Sequence, residues 1–400
     1  MGVDFNGLWL KARTTEDEAE SVRTLAEILS SKDGRMFILN LGSSDAEPCI
    51  ELMDNSLTGH KLCTRDKTTF FGCLRKLAGR HARLPNSMVI RDEISFSESM
   101  NPYISCGLTD LKLGQYKGCT VAVKRMRETM ADGLEKIRKR FCKEVVLWNF
   151  MSHPNVSKLV GVLEGVAEGR FVTVSEWMPR GNIIEYTRRN ATNRLELLRG
   201  AGQGLQYLHR AAVVHGNLKG ANILMTNDSP PKPCLADFAF VNTALDPRNP
   251  TGDLPVLTLE GSWMTFMAPE LFAYYEFGLE NSVLTNEGDI YAFGLVILQV
   301  LTGELPFHNI KPLELAHHVL RGVRPNKPTN AEDIGISDRL WELMQRCWDG
   351  DKTQRPLIKE VVEVVGNAAA NWHIVMPPGG TEQQEDSVLW EDSDRPRNCV

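Results

Sequence analysis

The sequence predicts an α+β protein, because the spacing of its apolar residues changes twice along the chain. Residues 1–85 place apolar side chains at helical spacing, and short β-rich segments follow from about residue 101. From Asn182 onward helical patterns dominate again. Helices and strands therefore occupy separate blocks of the sequence, which is typical of α+β proteins.

The first block predicts a helical N-terminal region. A helix is predicted from Glu16 to Ser30, followed by a turn at Lys32-Asp33-Gly34. The spacing of Ser44 and Glu47 indicates a capping box, in which each side chain accepts a hydrogen bond from an N–H at the helix start. A third helix is predicted to end near Gly79. The apolar faces are formed by Val22, Leu25, Ile28 and Leu29, by Cys49, Ile50, Met53 and Leu57, and by Phe70, Phe71, Leu74 and Leu77.

Two interpretations of residues 1–85 are open from the sequence. The helices pack on the domain that follows, or they form an independent module that binds a partner protein. Residues 86–100 are predicted as a polar connector, 101–370 as the main domain and 371–400 as an acidic, disordered tail.

Within the main domain, three elements stand out. Cys119 to Lys124 alternates as a strand does, and a charged amphipathic helix is predicted at 132–151. The stretch from Gly288 to Leu301 is apolar enough for a buried helix.

Composition narrows the class of protein. The chain is 42% hydrophobic and 24% charged, which suits a globular protein with a full core. Its nine cysteines are scattered without a CxxC pair, so reduced thiols and a cytoplasmic location are expected. No apolar run is long enough to span a membrane, and the net charge of −6 argues against nucleic acid as a partner. Lipidation at Gly2 is not expected, because Asn6 stands where the signal requires Ser or Thr.

The most informative stretch runs from Val214 to Leu224 and is followed by Asp237-Phe238-Ala239. It combines His215, Lys219 and two asparagines between apolar segments. Transfer of a phosphoryl group from ATP requires a residue that orients the hydroxyl, a lysine near the phosphoryl group, and oxygen ligands for Mg²⁺. The stretch resembles the catalytic loop and the metal-binding aspartate of eukaryotic protein kinases.

The resemblance implies a bilobal protein-kinase-like fold, with a small β-rich N-lobe, a larger helical C-lobe, and ATP and Mg²⁺ bound between them. In such a fold Lys124 would hold the α and β phosphates and pair with Glu144. Ser175 to Met178 resembles the hinge, where the backbone of Glu176 and Met178 would pair with adenine. Asn222 and Asp237 would bind the metal, and the substrate would be a protein. These functional assignments compete with plainer ones, such as a surface lysine at the end of a strand.

Several positions depart from the kinase pattern. Asn217 stands where the family has its catalytic aspartate, Gly216 replaces the arginine that gathers a phosphorylated activation loop, and Ala239 replaces a glycine. The three glycine positions of the phosphate-covering loop fall on Ile104, Cys106 and Thr109, so only Gly107 remains there. We therefore expect weakened nucleotide binding and no control by phosphorylation at Thr258, Ser262 or Thr265.

Further motifs extend the resemblance over residues 101–366. Ala268-Pro269-Glu270 resembles the end of the activation segment, and Arg355 matches the arginine that pairs with this glutamate. Asp289 and Gly294 match the helix below the catalytic loop. The stretches Gly261 to Met267 and Arg346 to Asp349 resemble the tyrosine-kinase-like branch.

Three functions are compatible with this sequence. The first is a pseudokinase that still binds nucleotide, in which Asn217 and Lys219 occupy the catalytic positions. The second is an active Ser/Thr kinase that tolerates Asn217. The third is an adaptor that binds no nucleotide.

Overall fold

The protein is described from a computed structural model. The structure describes residues 4–14, 17–59, 62–96, 104–106, 109–126, 134–163, 165, 171–238, 264–272 and 284–372. Gly107, Ala239, Thr258, the segment 261–263 and the tail from 373 onward lie outside the described residues.

The N-terminal region is helical, as predicted. It contains helices α1 (Phe5–Thr14), α2 (Glu18–Ser30), α3 (Lys32–Leu39), α4 (Ser43–Gly59) and α5 (Thr64–His81). The predicted apolar face of α2 is buried, and so are the apolar faces of α4 and α5 except for the partly buried Leu57 and Phe71.

Two local predictions in this region are wrong. Lys32-Asp33-Gly34 is the start of α3 rather than a turn, because the Ser31 hydroxyl caps the helix by accepting a hydrogen bond of 2.9 Å from the Gly34 N–H. Ser44 does not cap α4, which already begins at Ser43. Glu47 pairs instead with Arg83 at 2.5 Å.

A six-stranded sheet forms the small lobe. Its strands are β1 (Val89–Ile90), β2 (Ile104–Cys106), β3 (Thr109–Tyr116), β4 (Cys119–Met126), β5 (Leu159–Leu163) and β6 (Val172–Glu176), in the order β1-β5-β6-β4-β3-β2. All neighbours are antiparallel except β1 and β5. The predicted connector 86–100 therefore contributes an edge strand, which was missed because two residues are too few to show alternation.

One long helix, α6 (Leu134–Asn149), lies between the sheet and the N-terminal helices. Its buried Phe141 contacts Phe171 beside the sheet at a ring distance of 5.1 Å. On its other side, Phe150 at the end of α6 meets Phe71 of α5 edge to face at 5.6 Å. The same helix thus connects the N-terminal region to the sheet.

The larger lobe is mainly helical. It contains α7 (Ile183–Arg189), α8 (Arg194–Arg210), strands β7 (Ile223–Met225) and β8 (Pro233–Leu235), α9 (Asn286–Thr302), α10 (Pro312–Leu320), α11 (Asp338–Cys347) and α12 (Ile358–Ala370). The predicted buried helix is confirmed as α9, in which Tyr291, Leu295 and Val296 are fully buried. Among the helices that the structure describes, none is both long and apolar enough to cross a membrane.

Candidate active site

The predicted catalytic loop, within residues 214–224, is held in place by Asp289 in the first turn of α9. Its carboxylate accepts hydrogen bonds of 2.8 Å from the backbone N–H groups of His215 and Gly216. A third contact, of 2.9 Å, joins it to the Nε2 atom of His209. A buried carboxylate with three such partners fixes the course of the loop.

His215 is a structural residue of this loop. Its side chain is fully buried, and burial lowers its pKa although the nearby Asp289 opposes that shift. The Nδ1 atom accepts a hydrogen bond of 3.2 Å from the Asn217 N–H. A neutral imidazole that accepts through Nδ1 orients the backbone of Asn217 and is not placed to act as a base.

Gly216 adopts a conformation that suits glycine. Its φ is +72°, and a Cβ atom there would lie 2.8 Å from the Cδ1 atom of Leu284. The backbone conformation at position 216 therefore disfavours any side chain, which agrees with the absence of the arginine found in the kinase pattern.

The structure brings Asn217 and Asn222 together. The Nδ2 atom of Asn222 donates a hydrogen bond of 2.7 Å to the backbone carbonyl of Asn217. The Asn222 carbonyl in turn accepts from the Ala236 N–H at 2.9 Å, next to Asp237. The predicted metal ligands and the residue at the catalytic position therefore belong to one hydrogen-bonded unit.

Lys219 stands directly before the short 3₁₀ turn Gly220–Asn222. Its ammonium is close enough to Asp237 to contribute to the lowered pKa of that carboxyl.

Lys124 forms its ion pair with Asp237, whose backbone has a positive φ of 59°. Burial raises the pKa of Asp237, but the Lys124 ammonium outweighs this effect, so that the pKa lies below its usual value. The sequence-based pairing of Lys124 with Glu144 is therefore wrong for this structure. The physical reason is that the Lys124 ammonium pairs with Asp237, the predicted metal ligand, and Glu144 pairs with another cation.

Glu144 is held by a residue that the sequence analysis missed. The Nη2 atom of Arg75 in α5 donates to the two carboxylate oxygens of Glu144 at 3.2 and 3.4 Å. Burial raises the pKa of Glu144, and the Arg75 guanidinium opposes this rise. No sequence motif points to Arg75, because it lies outside the stretch that resembles a kinase.

The predicted hinge begins in the last two residues of β6 and continues beyond the strand. Trp177 donates from its N–H to the Thr120 carbonyl at 3.3 Å, and the Met178 carbonyl accepts from Gly181 at 3.2 Å. The Met178 side chain is buried, whereas that of Glu176 is exposed. Binding of adenine by the backbone of Glu176 and Met178 stays a prediction.

The strands of the phosphate-covering loop form a tight hairpin. Ile104 pairs with Leu111, and Cys106 pairs with Thr109. Gly107, the predicted nucleotide contact, lies outside the described residues.

Phe238, next to Asp237, lies in the core beneath α6. Its ring is 5.8 Å from that of Trp148 in an edge-on arrangement and 6.1 Å from that of His215. The Trp148 indole is itself fixed by a hydrogen bond of 2.7 Å to the Ser157 carbonyl. Packing thus connects the segment that carries Asp237 with the helix that carries Glu144.

The predicted pair of Glu270 and Arg355 is confirmed. Two hydrogen bonds of 2.7 and 2.8 Å join the guanidinium to both carboxylate oxygens. Arg355 also donates to the backbone carbonyls of Glu287 and Asp349, each at 3.0 Å. This planar, bidentate contact ties the end of the activation segment to the helical lobe.

Comparisons with known proteins agree with this architecture. Residues 105–365 match the family described as protein tyrosine and serine/threonine kinase. Serine/threonine-protein kinase STY46 of Arabidopsis thaliana is 30% identical over 260 residues, which are 64% of this chain and 41% of that protein. Serine/threonine/tyrosine-protein kinase HT1 of the same plant is 27% identical over 278 residues, covering 66% of this chain and 64% of its own length.

A relative from another kingdom is also similar. The RGS domain-containing serine/threonine-protein kinase A of Dictyostelium discoideum is 25% identical over 284 residues, which are 69% of this chain and 23% of that protein. This chain spans less than two thirds of the length of each of these relatives. The match over 105–365, together with the anchored loop and the Glu270–Arg355 pair, shows that the chain belongs to the protein tyrosine and serine/threonine kinase family.

Proposed function

We propose that this chain is a signalling protein with a protein-kinase fold that binds Mg-ATP weakly and transfers its phosphoryl group poorly. The observation that carries the proposal is that Asn217 occupies the catalytic position of a loop that keeps His215, Lys219 and Asn222. The natural partner or substrate in this proposal is a protein.

The residues of the cleft fit the nucleotide and its metal. Mg²⁺ is usually held by one or two protein oxygen ligands together with substrate phosphates, and here Asp237 and Asn222 would supply them. The Nδ2 atom of Asn222 is engaged by the Asn217 carbonyl, which leaves its Oδ1 atom as the acceptor of that amide. The bound metal would neutralise the phosphate charge, while Lys124 and Lys219 would hold the phosphates.

Weak binding follows from two features. Lys124 and Asp237 neutralise each other, so their ion pair must open before either contacts Mg-ATP. The hairpin that would cover the phosphates has Ile104, Cys106 and Thr109 at its glycine positions. Without glycine at these positions, the backbone is less free to adopt the conformations that bring N–H groups close to phosphates.

Poor transfer follows from the chemistry of Asn217. A carboxylate accepts the proton of the attacking hydroxyl, whereas an amide does not. The loss of a general base costs about 10²–10⁴-fold in rate. The amide oxygen still orients a hydroxyl, and because positioning supplies much of the rate in phosphoryl transfer, residual activity is compatible with this site.

A second candidate is an active Ser/Thr kinase. It is favoured by the retained geometry of Asn222 and by the relatives, whose names describe serine/threonine kinases. A third, an adaptor without nucleotide, is favoured by the mutual pairing of Lys124 with Asp237 and of Glu144 with Arg75.

A thermal-shift titration with millimolar Mg-ATP tests the proposed binding. Ligand that binds only the folded state raises the melting temperature by mass action. We expect a rise for the natural protein and none for Asp237→Asn, which keeps the side-chain size. The control is Asp333→Asn, which removes an exposed carboxylate between α10 and α11. A natural protein without any shift would contradict nucleotide binding and favour the adaptor.

A further inference from the structure

We propose that Arg75 is a positioning residue of the nucleotide site, which holds Glu144 away from Lys124 so that the N-terminal helices lower the affinity for Mg-ATP. This inference rests on the proposed nucleotide binding. It starts from two ion pairs, Arg75 with Glu144 and Lys124 with Asp237.

Helix α5 is packed tightly on α6. A Cβ atom added at Gly79 would lie 3.0 Å from the Cβ atom of Lys143 and 3.1 Å from the Lys139 carbonyl. Phe71, on the same face of α5 as Gly79, meets Phe150 at the end of α6 with a ring distance of 5.6 Å. These apolar contacts, and not the ion pair, hold the two helices together.

Arg75 lies at the rim of this contact. Its side chain is 26% exposed, whereas the Glu144 side chain is only 7% exposed. The Nε atom of Arg75 also approaches the Lys143 carbonyl at 3.4 Å. Arg75 can therefore turn into solvent at small cost, whereas Glu144 remains buried and requires a cationic partner.

Glu144 lies on the face of α6 that covers Lys124. In the sheet, Lys124 is directly opposite Thr173, so both side chains lie on one face. Phe171 precedes Thr173 by two residues and is hydrogen-bonded to Met126, which follows Lys124 by two residues, so its side chain lies on the same face of the sheet. Phe171 also contacts Phe141 of α6. Glu144 follows Phe141 by three residues, on the same side of the helix.

The two ion pairs can therefore exchange partners without movement of α5. When Arg75 leaves Glu144, the buried carboxylate attracts Lys124, and Lys124 releases Asp237. Asp237 then becomes available to the metal of Mg-ATP, and Lys124 is placed between Glu144 and the phosphates. Arg75 in its present position opposes this arrangement, because it satisfies Glu144 first.

Titration calorimetry with Mg-ATP measures the effect on affinity. We expect Arg75→Gln to bind about 5- to 150-fold more tightly than the natural protein, the usual range of coupling between sites. In a Glu144→Gln background the same change is expected to have no effect. Lys76→Gln, one residue further along α5 and exposed, is the matched control for the lost charge and is expected to bind like the natural protein.

A second measurement needs no nucleotide. The melting-temperature shifts of Lys124→Met and Glu144→Gln should be additive in the natural chain, where these residues have different partners. In Arg75→Gln they should fail to add by several degrees, because the two side chains then pair. If Arg75→Gln does not fold, Arg75→Met provides the same comparison, since methionine keeps an unbranched apolar stem and removes the positive charge.

The outcomes separate the two proposals. If no variant binds Mg-ATP but the coupling of Lys124 with Glu144 arises in Arg75→Gln, nucleotide binding is refuted and the exchange of partners is supported. If the natural chain binds Mg-ATP and Arg75→Gln binds it no more tightly, the role of Arg75 is refuted. It is also refuted if the melting-temperature shifts of Lys124→Met and Glu144→Gln are additive both in the natural chain and in Arg75→Gln.

Discussion

Asn222 donates a hydrogen bond of 2.7 Å from its side-chain amide to the backbone carbonyl of Asn217. The contact fixes the backbone at the catalytic position through a residue of the predicted metal site. It does not involve the side chain of Asn217. The side chain at position 217 can therefore change its chemistry while the loop keeps its course.

This contact predicts that replacing asparagine by aspartate destabilises the protein at position 222 but not at position 217. Asn222→Asp replaces the donating Nδ2 atom by an oxygen that faces the Asn217 carbonyl, at a site where Asn222 is 6% exposed. We expect a loss of about 1–3 kcal/mol in the free energy of unfolding, measured in urea. Asn217→Asp is the control and should change it by less than about 0.5 kcal/mol. Equal effects of both changes would contradict the assignment.

The ion pair of Glu270 and Arg355 predicts a large loss of stability on removing one partner. The Arg355 side chain is fully buried, and Glu270→Gln would leave its charge without a carboxylate. We expect a loss of roughly 3–5 kcal/mol in the free energy of unfolding. Arg346→Gln, which breaks the exposed pair with Glu360, should cost no more than about 1 kcal/mol. Similar costs for both variants would argue against a structural role for Arg355.

Substitutions at two glycines of α5 test how closely this helix packs on α6. Gly79→Val places methyl groups against Lys143 and the Lys139 carbonyl, and should destabilise by about 1–3 kcal/mol. Gly72→Ala meets no atom within 4 Å and should stabilise the helix by about 0.5–1 kcal/mol. Urea unfolding of both variants is the measurement. A Gly79→Val protein as stable as the natural one would mean that α5 is not docked as described.

Glu144 predicts a pH dependence of stability. Its pKa in the folded protein lies above the ordinary value, because burial outweighs the effect of Arg75. The stabilising contribution of the protonated form is complete below the unfolded pKa and is lost as the pH rises through the folded pKa. The natural protein should therefore gain stability relative to Glu144→Gln as the pH falls from neutrality toward the ordinary glutamate pKa. Urea midpoints for both proteins across this range test it, and a constant difference would contradict the raised pKa.

Local motifs and periodicity predicted much of the structure. The buried helix α9, the strand of Lys124 and the Glu270–Arg355 pair follow from residue patterns that are local in sequence or typical of the family. The partner of Glu144 could not be predicted in this way, because Arg75 belongs to another helix and reaches Glu144 only through tertiary packing. Strand β1 was missed for a similar reason, since its two residues gain their partner only when β5 lies alongside.

Whether Asn217 limits phosphoryl transfer is tested by measuring the transfer of a radiolabelled phosphoryl group from ATP. The acceptor is the chain itself or a generic basic protein. The proteins to compare are the natural chain, Lys124→Ala and Asn217→Asp. We expect the natural chain to stay near the Lys124→Ala background. We expect Asn217→Asp to exceed that background by roughly one to three orders of magnitude, because the carboxylate restores a proton acceptor in an unchanged loop. A natural chain that already transfers phosphoryl far above the Lys124→Ala background would contradict this expectation.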